Sequence, residues 1–277
     1  MFMLIDTHAH INFKAFKDDA DEVIQRSLSE NTWMILVGSE YKSSKRALEY
    51  ANKYQRGVYA AAGLHPIHLE DINENGEQIR AEEFNHDMYE KLAQFEKVVA
   101  IGEIGLDYFH LSHDMDVSSA KKKQKEVFIA QLELARQMDL PVIIHCRQAH
   151  DDMIALLMEF RKGRKELFRN NENWGVMHCF SGDEDLAWQY FHLGLLISFT
   201  GLVTFSSQWD GLLRKVPLDK LMIETDAPFM TPEPFRGKRN EPVLVEYVAR
   251  RIAEVKGLTY DKIAEATTSN ARNLFKI

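Results

Sequence analysis

The chain has 277 residues, 45% hydrophobic and 27% charged, which is enough apolar material for a large core and enough charge to cover it. A net charge of −8 excludes a broad basic surface that grips duplex DNA through many phosphates, but not a nucleic-acid substrate met at a local cationic site. No run approaches the ~20 apolar residues that span a bilayer, and the N-terminus enters a strand-like run without a basic segment or cleavage site, so a cytoplasmic protein with no membrane partner is expected.

Taken in chain order, strand-like and helical patterns alternate. A strand at Phe2 to Ile5 precedes a helix at Asp18 to Ser29, and Trp33 to Val37 precedes Ser43 to Gln55. Val58 to Ala62 is followed by a predicted helix from Gln78 to Phe95, Val98 to Gly102 by Ser119 to Met138, and Pro141 to Ile144 by Asp151 to Lys162. Trp174 to Met177 leads to Asp183 to Phe191, Leu195 to Phe199 to Ser207 to Arg214, and Leu221 to Ile223 to Pro242 to Val255. Such alternation implies parallel strands joined by helical crossovers. Eight units predict a (β/α)8 TIM barrel, with an open doubly wound sheet as the alternative. A ninth helix, Asp261 to Leu274, is expected beneath or beside the barrel. No Gly-, Pro- or Ser-rich linker divides the chain, so residues 1–277 read as one domain.

Residues with metal-ligand chemistry fall at strand ends. Alternation puts Asp6, His8 and His10 on one face of the first strand, with Thr7 and Ala9 on the other. Glu103 follows strand four, His145 strand five, His178 strand six and Asp226 strand eight, while His65 follows strand three. In a closed barrel these ends form one ring, where enzymes of this fold place their chemistry. Any one of them alone reads as a helix cap or a satisfied loop hydrogen bond. Together they would crowd charge over an apolar barrel mouth at high cost unless paired or coordinated. Histidine and carboxylate without thiolate suit zinc, manganese, iron or magnesium in a working site better than a structural zinc. Cys146 and Cys179 each follow a histidine and read as buried thiols rather than a disulfide.

The ordered motifs Asp-Thr-His-Ala-His, Gly-Leu-His-Pro, Gly-Glu-Ile-Gly-Leu-Asp, His-Cys-Arg, His-Cys-Phe-Ser-Gly and Thr-Asp-Ala-Pro run along nearly the whole chain, which ends in Ser-Asn-Ala-Arg-Asn-Leu-Phe near its terminus. In these the chain resembles the TatD-related metal-dependent deoxyribonucleases, among the amidohydrolase-like barrel hydrolases. The resemblance implies two divalent ions (Mg, Mn or Zn), one held by His8, His10 and Asp226, the other by His145 and His178, with Glu103 bridging. Where relatives in the wider superfamily bridge with a modified lysine, a glutamate stands here and needs no carbamylation.

Two such ions lower the pKa of a bound water, polarise a phosphoryl or carbonyl oxygen and stabilise the leaving oxygen. Asp226 is the candidate base as well as a ligand, and His65 either contacts the substrate or acts as an outer hydrogen-bonding residue. Arg236, Lys238 and Arg239, in the loop after strand eight, are candidate phosphate contacts, with a solvated loop as the bland reading. Arg147 is another, unless it pairs with Asp152 or a neighbouring carboxylate. The runs Lys121 to Lys125 and Arg161 to Lys165 read as solvated surface, and Trp33, Trp174 and Trp188 as packing, while Trp209 could reach the mouth and stack on a base. The expected activity is hydrolysis of single-stranded DNA from an end, with the 3′ end favoured by the resemblance. An ester or amide hydrolase, including an aminoacyl-tRNA deacylase, is the second enzyme reading. A scaffold without turnover is the third, and it should have lost ligands that are all present here.

Overall fold

In a computed structural model, residues 3–74, 77–111, 116–162 and 173–277 are described. Eight strands pair in sequence order into one sheet: β1 (Leu4–Ala9), β2 (Thr32–Val37), β3 (Val58–Ala62), β4 (Val98–Asp107), β5 (Val142–Arg147), β6 (Gly175–Met177), β7 (Leu195–Phe199) and β8 (Leu221–Ile223). Every neighbouring pair is parallel. The ring closes just past β8, where Ala9 bridges Ala227, the His10 amide donates to the Ala227 carbonyl and the Asp226 amide to that of His8. The fold is a (β/α)8 barrel.

Every strand contributes to the cluster that fills the barrel, through Ile5, Ile35 and Val37, Ala61, Val99 and Ala100, Ile143, Val176, Leu196 and Met222. A second cluster joins the outward faces of the strands to the surrounding helices α1 (Ala20–Ser29), α2 (Tyr41–Ala51), α3 (His86–Ala93), α4 (Val117–Met138), α5 (His150–Arg161), α6 (Glu184–His192), α7 (Asp210–Lys215) and α8 (Val245–Lys256). The last helix, α9 (Tyr260–Phe275), sends Ala271, Leu274 and Phe275 into the barrel cluster. The Thr268 hydroxyl donates to the Met3 carbonyl and the Asn270 amide to Leu218 and Leu221, so α9 stoppers the N-terminal end and leaves the other end open for chemistry.

Several expectations change. The helix predicted from Gln78 begins only at His86, where the Asn85 side chain accepts from the Met88 amide; before it, Ile72–Glu74 and Glu77–Ile79 pair as an antiparallel hairpin. β4 does not stop at Gly102 but runs through Glu103 to Asp107. Trp209 is buried in the helix-facing core, which removes it as a base-stacking residue. Cys146 and Cys179 are free but half-buried, and burial pushes both thiols up to about 12, which keeps them unreactive. Of the charge runs, Lys125 pairs with Asp152 at 2.8 Å and Lys123 donates to the Leu69 carbonyl, while the stretch beyond Lys162 lies outside the described residues, as does Phe2. Among the described residues no helix is long and apolar enough to cross a membrane.

Candidate metal centre

Strand alternation alone would not deliver His8 to the mouth. Leu4 faces the helices and Ile5 the barrel, so an unbroken β1 would turn His8 outward with Leu4. A register shift between Asp6 and Ala9 resets the phase. The Asp6 carboxylate accepts from the His8 amide (3.2 Å) and from the Thr225 amide (2.8 Å) and hydroxyl (2.5 Å), tying β1 to the segment after β8. On β4, Glu103 and Asp107 lie four residues apart, an even spacing that puts both on the barrel-facing side. Gly105 between them has φ +148°, and a Cβ there would stand 1.9 Å from the His145 carbonyl oxygen, so only glycine lets β4 lie this close to β5. His178 lies just beyond β6, in a turn where Cys179 has φ 45°, so alternation separates His145 from Cys146 but not His178 from Cys179.

Four of the predicted ligands, His8, His10, His145 and His178, surround a fifth, Glu103, and Asp226 adjoins His8 and His10. Glu103 Oε2 lies 3.3 Å from His8 Nε2 and 3.7 Å from His10 Nε2, and Asp226 Oδ1 lies 3.8 and 3.4 Å from the same two nitrogens. Its Oε1 lies 3.0 Å from His145 Nδ1 and 2.9 Å from His178 Nε2. Donors bonded to one ion at about 2.0–2.2 Å stand about 3–3.5 Å from each other; His8, His10 and Asp226 offer atoms within 4.8 Å of one another, as do His8, Glu103 and His178, while His145 groups in the same way with His65 and Asp107.

The second ring nitrogens set the tautomers. His10 Nδ1 donates to the Val37 carbonyl (2.9 Å), His178 Nδ1 to Glu224 Oε1 (3.1 Å) and His145 Nε2 to Asp107 Oδ2 (3.0 Å). In each neutral ring the other nitrogen then presents a lone pair towards carboxylate oxygens, an arrangement that requires a proton or a cation between them. Among the described residues His8 Nδ1 is buried without a hydrogen-bond partner, and its Nε2 lies 3.0 Å from His10 Nε2. The donor set therefore fits a divalent metal. Protonation responds to the same crowding. Burial opposes charge on His178, but Glu103 and Glu224 outweigh it and hold its pKa well above the ordinary value. Burial likewise opposes charge on Glu103, yet His178, His65 and His8 hold its carboxyl well below the usual range. Asp226 is also lowered, against its burial, by His10, His178 and His8.

His65 sits at the rim of the same site. Its Nδ1 accepts from the Ile67 amide (3.1 Å), so Nε2 carries the proton and faces Glu103 Oε1 at 3.4 Å, and burial lowers its pKa to about 4. The cationic residues separate. Arg147 is exposed and stacks over Phe109 at 3.8 Å rather than pairing with Asp152, whose carboxylate is taken by Lys125 and the Tyr108 hydroxyl. Arg236 stacks over Phe205 at 3.8 Å, and Lys238 is exposed near Phe235. Arg239 is engaged with the chain itself: it pairs with Asp19 at 2.5 Å and Glu241 at 3.3 Å and lies over Phe16.

Sequence reasoning passed over Asp107 and Glu224, the carboxylates that orient His145 and His178. Asp107 carried a readable signal in its even spacing from Glu103, hidden by ending the strand at Gly102. Glu224 adjoins Thr225 and Asp226 and carried none beyond that.

The family model for the TatD related DNases matches residues 5–276. The uncharacterized metal-dependent hydrolase YabD of Bacillus subtilis is 40% identical over 99% of this chain and 100% of its own. A protein of Erwinia amylovora named 3'-5' ssDNA/RNA exonuclease TatD is 31% identical over 98% of this chain and 99% of its own. The crystal structure of YjjV, a TatD homologue from Escherichia coli, superposes with a TM-score of 0.82 at 32% identity, covering 99% of this chain and 98% of that one. With its ligand cluster at the mouth of the barrel, the chain belongs to the TatD related DNase family and is a metal-dependent hydrolase.

Proposed function

We propose that the protein is a cytoplasmic two-metal phosphodiesterase that digests single-stranded DNA from an end, with the whole chain acting as one domain. The observation that carries this reading is the division of Glu103, one oxygen towards His8 and His10 and the other towards His145 and His178. His8, His10 and Asp226 would hold one ion, His145 and His178 the other, with Glu103 shared. Ions bound there supply an activated water and neutralise charge on the phosphoryl and leaving oxygens.

The chain's own groups do the rest. Asp226, a carboxylate at neutral pH, accepts the proton of the attacking water. His65 is neutral at that pH and donates from Nε2, so it steadies Glu103 or a substrate oxygen by hydrogen bonding and does not serve as a cationic acid. Among the described residues Arg147, Arg236 and Lys238 have no carboxylate partner, and they meet phosphates at the rim. The Erwinia relative's name supports a single strand and the 3′ end, and the net charge of −8 supports a thin strand entering the cup over a duplex laid across it. Two free thiols are in keeping with a reducing compartment.

The test is hydrolysis by chelated protein restored with Mg, Mn or Zn, on linear and circular single strands of one sequence, duplex DNA and an aminoacyl ester. Metal-restored shortening of the linear strand from its 3′ end is expected. Equal cutting of the circle overturns the end-dependent mode, and turnover of the aminoacyl ester alone overturns the nuclease reading.

A further inference from the structure

Phe109 is an apolar side chain that the fold holds open to water beside its reactive centre. Among the described residues the large exposed apolar side chains are Met88, Phe95, Phe109, Val117, Met158 and Phe229. Met88, Val117 and Met158 lie on surrounding helices and Phe95 just after one, whereas Phe109 and Phe229 follow the C-terminal ends of strands, where the metal centre lies.

Phe109 is 50% exposed, yet its surroundings are rigid. Two residues earlier, Asp107 bonds His145 Nε2 (3.0 Å), and its backbone is clamped by Gln124, whose side chain accepts from the Asp107 amide and donates to its carbonyl, each at 2.9 Å. The Tyr108 amide donates to the Arg147 carbonyl (2.9 Å), and the His110 amide and ring both bond the Asp107 carboxylate. The ring itself is braced by the Arg147 guanidinium at 3.8 Å and the His110 imidazole, edge-on at 5.0 Å. Among the described residues Arg147 has no carboxylate partner. A rigid, half-open aromatic face beside an unpaired guanidinium combines a surface for a base with a charge for its phosphate, the pairing by which single strands are bound without sequence preference.

We infer that Phe109 stacks a base of the strand beside the metal centre while Arg147 holds the adjoining phosphate. The inference rests on the nuclease reading above, and it adds the residue that recognises the base. The ligand is a single-stranded nucleic acid, since an intact duplex has no base face free to stack.

The experiment uses the metal-loaded full chain with three linear substrates: an ordinary single strand, the same length built of abasic units, and a strand carrying 2-aminopurine near its 3′ end. Phe109→Ala should raise KM for the ordinary strand about tenfold, within what stacking one base contributes, and leave KM for the abasic strand and the metal content unchanged. Binding should quench 2-aminopurine with wild type and Phe109→Trp and fail to do so with Phe109→Ala. Arg147→Ala should raise KM for base-bearing and abasic strands alike. Unchanged KM and quenching in Phe109→Ala overturn the inference, including the case where that variant instead alters self-association in sedimentation. Wild-type protein that cuts no strand but hydrolyses another ester overturns the nuclease reading itself, a failure seen before any substitution is made.

Discussion

The Nε2 atoms of His8 and His10 face each other across 3.0 Å, with Asp226 and Glu103 oxygens closing on both. Bare nitrogens do not pack this way without a shared proton or cation, so this half of the centre and the half around His145 and His178 should respond together to any change in the group that joins them.

Glu103 is the group proposed to join them. Glu103→Ala should lower metal content on both sides and cut activity at least about 100-fold, beyond the range of losses for outer residues. His8→Ala should deplete about one ion and spare the other. Elemental analysis of the purified variants decides, and full metal content in Glu103→Ala would mean that Glu103 bridges nothing.

Asp107 has a narrower part, because it touches His145 and His110 but not His8 or His10. Asp107→Ala should weaken metal binding at the His145 side by about 10- to 100-fold and leave the other side near wild type. Titration of chelated protein with zinc should resolve one weakened step, and two equally weakened steps would show a general loss of structure instead.

Asp226→Asn separates ligation from proton transfer. Asparagine keeps an oxygen for a metal but cannot accept a proton as carboxylate does, so turnover should fall further than metal content. Rates from variant protein titrated to full occupancy are the measure, and near wild-type turnover removes Asp226 from the role of base.

The metal-free protein should show a stability optimum that metal shifts. His178 is held above the ordinary imidazole value of 6.5 and Glu103 below the ordinary carboxyl value of 4.5. The raised histidine contributes fully below 6.5 and loses that contribution as pH rises through its folded value; the lowered carboxyl contributes above 4.5 and loses it as pH falls through its own. His65, pushed down to about 4, resists protonation and so costs stability as pH falls from 6.5. These directions place the cluster's best contribution between 4.5 and 6.5, towards the upper end. A bound ion replaces the protons and moves the optimum to higher pH. Melting temperature against pH, with and without chelator, tests this, and a chelated protein that grows steadily more stable above neutrality contradicts it.

The barrel was legible because eight buried strands read as short apolar runs, and the His, Glu and Asp cluster at its mouth because those residues follow the runs. The bulge that turns His8 inward was not, since register is settled by pairing with β2 and no residue in Asp-Thr-His-Ala-His marks it. The pairing of Arg239 was hidden for a related reason: its partner Asp19 lies 220 positions earlier, and only the closed ring brings the two together. Trp209 was expected to be able to reach the mouth because it follows strand seven, but α8 packs on that segment, where Arg251 bonds both oxygens of Asp210 at 2.9 Å.

The seam between β1 and the segment after β8 joins the two ends of the sequence through few hydrogen bonds, and it also carries His8 and His10 on one side and Asp226 on the other. An ion held there would rivet the barrel shut, in the way a buckle closes a belt. Ligand capture and ring closure thus become one cooperative event, completed late in folding because its parts are most distant along the chain. Withdrawal of the ion should loosen this junction before any other, and amide exchange at His10 and Asp226 should report it while the interior of β5 stays protected.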